Sequence, residues 1–210
     1  MSGRRRLTPE NRRAVILAAA RTVFADAGYD RTSMRAVAKA AGITTPVLYD
    51  HFGSKADLYA ALVEAEADAL IGTWEREGLE VPEGSVEQLF RRTIGTIFDW
   101  VAANEAGWRI IFLDSPSDPA VAQAHRRRQE RATAVLAAQF ARVPTLHLSV
   151  ALDRERADGF LAEAAKWTVN AVAAWWWSNR DLTRDQLVEL TADLLWRGLG
   201  QVTGETPNVH

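Results

Sequence analysis

Between Thr32 and Lys55 the chain carries hydroxyls and cations at Thr32, Ser33, Arg35, Thr44, Thr45, Tyr49 and Lys55. Each of these side chains donates hydrogen bonds, and a guanidinium or ammonium adds charge, so each suits a phosphate oxygen. Interleaved with them are Pro46, Val47 and Asp50. Proline and valine suit apolar contact with a thymine methyl, a threonine hydroxyl can bond either base type, and a carboxylate accepts from a cytosine amino group. Such a set supports recognition of a phosphodiester backbone together with the base edges beside it. Asp50 has two further readings, a pairing with a nearby basic residue and a solvated charge. Tyr49 has the alternative of a packed surface tyrosine, and His51 packs or caps locally. Thr32 and Ser33 are first of all helix caps, with phosphate contact as an added role. Lys55 falls in the first turn of a helix, where the macrodipole disfavours a cation. A phosphate at that helix start would offset the conflict.

These residues need two short helices to hold them. A short helix does not persist in water unless it packs on something, so two in tandem brace one another. Thr32 or Ser33 caps the first, and Met34, Val37, Ala38 and Ala41 form its apolar stripe. Gly42 supplies the left-handed backbone that ends it. The next helix opens at Thr44-Thr45-Pro46, where Pro46 pushes Thr45 out of the α region. This makes Thr45 the expected N-cap and Pro46 the first helical position. Leu48 and Phe52 are spaced to face inward, leaving Thr44, Val47, Tyr49 and Asp50 outward. The pattern reads as a helix-turn-helix, whose second helix enters a DNA major groove.

The same stretch carries a family resemblance. Residues 9–58, through ILAAARTVFADAGYDRTSMRAVAKAAGI and LYDHFGSKADL, resemble the N-terminal domain of the tetracycline-repressor (TetR) family of bacterial transcriptional regulators. The match lies in the order of G-Y-D-x-T-S, A-x-x-A-G, L-Y-x-H-F and S-K-x-x-L. Two positions depart from the family: Pro46 stands where glycine or alanine is usual, and Asp50 where histidine or tyrosine is common. The resemblance implies a DNA-binding head, a body enclosing a small-molecule pocket among helices four to eight, and a last pair of helices that builds a four-helix dimer interface. It also supports the phosphate role of Tyr49.

The charge distribution agrees. The overall charge is −2, but residues 1–58 carry eight Arg and two Lys against five acids, a net of +5, while the remainder has 15 basic and 22 acidic residues, a net of −7. A polyanion attracts the first segment and repels the second. Arg4, Arg5 and Arg6 suit a minor-groove arm or, equally, a solvated basic tail. The chain has no cysteine, which excludes disulfides and thiolate metal sites. The opening MSGRRRLTPENRR has no apolar core for a secretory signal. The longest apolar run, Ala171 to Trp177, is far short of the ~20 residues that span a bilayer. A cytoplasmic protein that avoids membranes is expected.

Helix signals recur along the chain and strand signals are nearly absent. Helices are expected at Pro9–Ala27 (ended by Gly28), from Ser54 to about Glu77, from Ser85 to about Ala103, at Ala106–Leu113, from Pro119 to about Arg142, at Asp153–Asn179 and at Thr183–Leu199. Residues Val143 to Leu152 are expected to be loop. The fold class is therefore all-α. An N-terminal three-helix helix-turn-helix domain with a basic arm (1–53) is joined by a long helix to a larger helical effector-binding and dimerisation domain (54–200). A disordered tail follows (201–210).

All eight tryptophans lie beyond the head, and such large rings fill cores, interfaces or aromatic pockets. Trp100, Trp108, Phe112, Trp167 and Asn170 are candidates to line a pocket for an apolar or aromatic effector, with ordinary core packing as the alternative for each. Ala164, Ala171, Leu187, Leu190, Leu194 and Gly198 recur at helical spacing and suit close packing, across a dimer or inside one subunit, and the resemblance favours the homodimer. Arg126, Arg127 and Arg128 look like a solvated charged face, or else a site for an acidic ligand head group. The histidines at 51, 125, 147 and 210 form no compact ligand set. No metal, cofactor or catalytic residue is expected. The sequence points to a ligand-responsive dimeric regulator, a repressor, that binds a pseudo-palindromic operator and leaves it on binding a small molecule. The alternatives are an architectural or cell-cycle DNA-binding protein without an effector and, less well supported, an all-helical enzyme.

Overall fold

Among the described residues every regular element is a helix. The computed structural model describes residues 8–76, 85–112, 118–143, 146, 148 and 150–203, with backbone alone for 74–76 and 199–203. In order these are α1 (Pro9–Arg31), α2 (Met34–Ala40), α3 (Thr45–His51), α4 (Lys55–Arg76), α5 (Val86–Ala103), α6 (Glu105–Phe112), α7 (Pro119–Phe140), α8 (Arg154–Trp177) and α9 (Arg184–Thr203). The chain divides into two compact units, one of residues 1–68 and 105–128, the other of 69–104 and 129–210. Both α4 and α7 contribute residues to each unit.

The first unit is built around α1. Gly28 has φ 75, a backbone state that costs glycine little. It kinks α1, and a single turn, Tyr29 to Arg31, follows. Gly42 has φ 66 and closes α2. Ile16, Ala20, Phe24, Val37, Leu48, Leu58, Tyr59 and Leu62 pack into one core, joined by Ile110 of α6 and Val121 of α7. Each large side chain so buried is worth roughly 1.5–3 kcal/mol. At the centre three rings meet: Phe24 and Tyr59 edge to face at 4.8 Å, and Tyr29 and Tyr59 likewise at 5.0 Å. The Tyr29 hydroxyl donates to Asp118 at 3.0 Å, and Asp118 in turn accepts from the Ala120 N–H at the start of α7. Burial and this bond push the Tyr29 hydroxyl up to about 12. On the α6 side, Gly107 is buried against the Arg21–Glu66 ion pair (3.1 Å). A Cβ there would run into the Glu66 carboxylate.

In the second unit α9 packs on α5 and α8. Phe98 and Trp176 meet edge to face at 6.0 Å, and Phe90 and Trp196 at 6.1 Å. Arg91 of α5 reaches Glu189 and Asp193 of α9, both at 2.5 Å. Arg184 takes Asp99 at 2.6 Å, passing over Gly95, where any side chain would displace it.

The helix limits agree with the sequence expectations to within a few residues. Ser33, Ser85, Asp153 and Thr183 cap their helices, and Thr183 with Gln186 forms a reciprocal box. One cap differs: α3 starts at Thr45, its N-cap is Thr44, and Pro46 is the second helical residue. The Leu48 N–H donates to the Thr44 carbonyl at 3.1 Å, which fixes the first turn one residue earlier. At the other end, α9 runs on to Thr203, past the start of the expected tail. Residues 77–84 between α4 and α5, 113–117 between α6 and α7, and 204–210 of the expected tail lie outside the described residues.

Lys166 of α8 is buried, and its ammonium donates to Thr133 (2.6 Å) and Glu163 (2.8 Å). The bonds from Lys166, Thr133 and Trp167 hold the Glu163 carboxyl down at about 2, against an ordinary value of 4.5. A depressed carboxyl stabilises the fold above its unfolded pKa and loses that contribution as pH falls through the folded one. Glu163→Gln is therefore expected to lower the melting temperature at neutral pH and to flatten the loss of stability between about pH 4.5 and 2. Identical melting profiles for the two proteins across that window would refute the assignment.

Candidate nucleic-acid interface

The helix pair exposes one side and buries the other. Leu48 and Phe52 anchor α3 in the core, at 0% and 5% exposure. Thr44, Pro46, Tyr49 and Asp50 are exposed, and Thr45 and Val47 are half-buried beside them. Tyr49 is 49% exposed, and no hydrogen bond ties its hydroxyl to the described residues. Thr44 makes no side-chain capping bond, so its hydroxyl is not spent on the helix start. Asp50 pairs with no cation among the described residues, and neither does Arg35, exposed on α2, pair with a carboxylate. Ser33 accepts from the Ala36 N–H at 3.2 Å, which leaves its own hydroxyl hydrogen to give. The face thus offers phosphate donors (Ser33, Arg35, Tyr49) around a short apolar and hydroxyl-bearing centre (Thr44, Pro46, Val47). Arg6, with Arg4 and Arg5, lies outside the described residues.

Two members of the expected set are engaged inside the protein instead. Thr32 is buried, and its hydroxyl donates to the Gly28 carbonyl at 2.8 Å. Lys55 donates to the carbonyls of Tyr29 (2.9 Å), Thr32 (3.2 Å) and Asp30 (3.4 Å). Its ammonium also lies 4.3 Å from the centre of the Tyr29 ring. An ammonium has three hydrogens, and three carbonyls take them. The conflict with the α4 dipole is met by carbonyls at the end of α1, where a cation is favoured.

The five candidate pocket residues fall in different places. Trp108 and Phe112 of α6 are neighbours in the first unit, with ring centres 6.0 Å apart, Trp108 fully buried and Phe112 half-buried. Trp100 is buried on α5 in the second unit. Asn170, half-buried on α8, has a buried amide nitrogen without an acceptor among the described residues. Trp167 is 52% exposed and does not share that enclosure. Its indole N–H donates along the helix to Glu163 at 2.6 Å.

Trp167 belongs to a different feature. Phe160, Ala164, Trp167, Ala171 and Trp175 recur along α8 at helical spacing, and all are exposed. Leu190 and Leu194 of α9 are exposed as well, at 59% and 64%. Leu187, expected in the same stripe, is buried inside the unit. The solvated face expected for the arginine triplet also needs correction. Arg126 and Arg127 are exposed, and Arg127 pairs with Glu64 at 3.0 Å, but Arg128 is buried. Its position could have been read from the sequence, since Val121, Ala124, Arg128, Ala132 and Leu136 lie on one stripe of α7.

Comparison with known proteins places this geometry. Residues 16–62 match the family model described as bacterial regulatory proteins, tetR family. The transcriptional activator FasR of Mycolicibacterium smegmatis is 30% identical over 198 residues, covering 94% of this chain and 87% of FasR. The transcriptional repressor AcnR of Corynebacterium efficiens is 34% identical over 95 residues, 45% of this chain and 47% of AcnR. Among solved structures, FadR of Bacillus subtilis in complex with stearoyl-CoA superposes with a TM-score of 0.68 at 18% identity, covering 90% of this chain and 98% of that one. The chain belongs to the TetR family of bacterial transcriptional regulators, which are not enzymes. Among the described residues no helix is long and apolar enough to cross a membrane.

Because Tyr49 and Arg35 are exposed and bear no load in the fold, Tyr49→Phe and Arg35→Ala are expected to weaken binding to a selected DNA site without shifting the melting temperature. Losing one phosphate contact should also reduce the slope of log affinity against log salt by about 1. Unchanged affinity and salt slope in both variants would remove these residues from the interface.

Proposed function

We propose that this chain is a dimeric, ligand-responsive regulator that inserts α3 of each subunit into a major groove of a pseudo-palindromic operator. The observation that carries this reading is the division of α3 into a buried side held by Leu48 and an open side bearing unspent donors. Tyr49, Ser33 and Arg35 take phosphates; Thr44, Thr45, Pro46, Val47 and Asp50 face base edges; Arg6 belongs to a basic arm. Thr32 and Lys55 act through the others, by holding the helix pair in place.

The exposed stripe of α8 and α9 supports the dimer. Contiguous apolar surface of this kind marks an interface, and a twofold axis lets one stripe cover its own copy. The two heads then meet half-sites about 34–36 Å apart, or a multiple of that. The effector we assign is a small molecule of largely apolar chemistry, a choice supported by the stearoyl-CoA bound to FadR on the same fold. Since α6 and the first part of α7 belong to the unit that carries the helix pair, a ligand acting on them acts on the core that sets α3. Such couplings are typically about 1–3 kcal/mol.

Over a promoter the bound dimer acts as a repressor. Activation is a second reading, favoured because the activator FasR matches 94% of the chain. Transcription reconstituted with and without the protein separates the two signs of control.

Selection of bound sequences from random DNA is expected to return an inverted repeat with this spacing. Leu194→Asp is expected to sediment as a monomer and to bind a full site no better than a half-site. A wild-type monomer, or an unenriched pool, would overturn the proposal.

A further inference from the structure

Among the described residues, buried cations come with acceptors, save one. Lys166, 6% exposed, has a carboxylate, a hydroxyl and a carbonyl, and the half-buried Arg21 has the buried Glu66. Arg128 is equally buried at 6%. Its Nε has no acceptor, and no carboxylate lies within ion-pairing distance of the guanidinium among the described residues. What it has is the Phe112 ring, 4.8 Å from its central carbon, and Trp108 lies 6.0 Å from that ring. Removing a guanidinium from water without an anion is costly, and an aromatic face returns only part of the loss. Burial alone brings its pKa down to about 10, so the group is still charged at neutral pH.

We propose that Arg128 anchors the acidic group of a small amphiphilic ligand, a carboxylate or phosphate on an apolar body that packs against Phe112 and Trp108. The planar fork of a guanidinium matches two oxygens of either group. Phe112 and Trp108 supply the apolar neighbourhood for the adjoining part of the ligand. The inference rests on the ligand-responsive reading and names the effector's chemistry, an anionic end on an apolar molecule.

The test titrates the full-length protein with decanoate, decanoyl-CoA and decanol by calorimetry. Wild type is compared with Arg128→Met, Arg128→Lys and, as a control on the same helix, Arg127→Met. Arg128→Met is expected to lose about tenfold or more in affinity for the acidic probes, while keeping its affinity for decanol. It is also expected to melt no lower than wild type without ligand, because an uncompensated buried charge has been replaced by an apolar chain of similar size. Arg127→Met should bind all three probes as wild type does. Binding of decanoate but not decanoyl-CoA names a free carboxylate; the reverse names the phosphates. Equal binding of the acids by wild type and Arg128→Met, or no binding of either acid by wild type, overturns the proposal. Should the methionine variant not fold, Arg128→Lys gives the same comparison, because it keeps the charge but loses the fork. Failure of the broader reading looks different. If an acid binds through Arg128 but DNA affinity does not change, the site stands and the regulation falls. If an acidic probe releases DNA from wild type and Arg128→Met alike, the regulation stands and Arg128 falls.

Discussion

The ammonium of Lys55 sits where the last carbonyls of α1 converge, and the presentation of α2 and α3 depends on that meeting. Gly28 turns the chain out of α1, leaving the carbonyls of Tyr29, Asp30 and Thr32 pointing together. Such carbonyls need donors, and the first residue of α4 provides three hydrogens at one point. The same side chain covers the Tyr29 ring, whose hydroxyl binds Asp118 at the head of α7. One cation thus ties the end of α1 to the start of α4, and Tyr29 extends the tie to α7. The helix pair lies between these fixed points, its inner residues in the shared core and its outer residues left for a partner.

Charge is handled by a consistent rule across the molecule. Among the described residues a buried or half-buried cation is given acceptors, as Lys166 and Lys55 are, and where α5 meets α9 the arginines are matched to acids from both helices. Against that rule a buried arginine facing only an aromatic ring stands out, as does a helix pair whose large apolar side chains face outward. The first suits a small acidic partner and the second a copy of the same chain. Arg128 belongs to the unit that carries α3, and the exposed apolar stripe to the other.

Much of this was legible in the residues. Gly28 and Gly42 announce their backbone states because little else tolerates positive φ, and the apolar spacing of Leu48 and Phe52 identifies the buried side of α3. The cap of α3 was misplaced by one residue because the restriction Pro46 puts on Thr45 is a preference, and the bond from Leu48 to Thr44 outweighs it. Other placements are hidden for a different reason. A tryptophan's size says that it will be covered, but not by what, so Trp167 passed for a pocket residue when it stands on an open face. The carbonyl partners of Lys55 are hidden in the sequence because they lie more than 20 residues away. Arg128 was grouped with its neighbours by charge, although its helical position set it among alanines and a leucine.

The most direct test of the Lys55 clamp is Lys55→Met, which keeps the length of the side chain and removes its hydrogen bonds. Thermal melting and DNA binding should be measured on the same preparation. The clamp predicts a loss of stability of about 2 kcal/mol, faster amide exchange over residues 29–34, and weaker DNA binding that follows from the loosened helix pair. A variant as stable as wild type, with unchanged exchange in that segment and reduced DNA binding alone, would make Lys55 a simple phosphate contact and contradict the account.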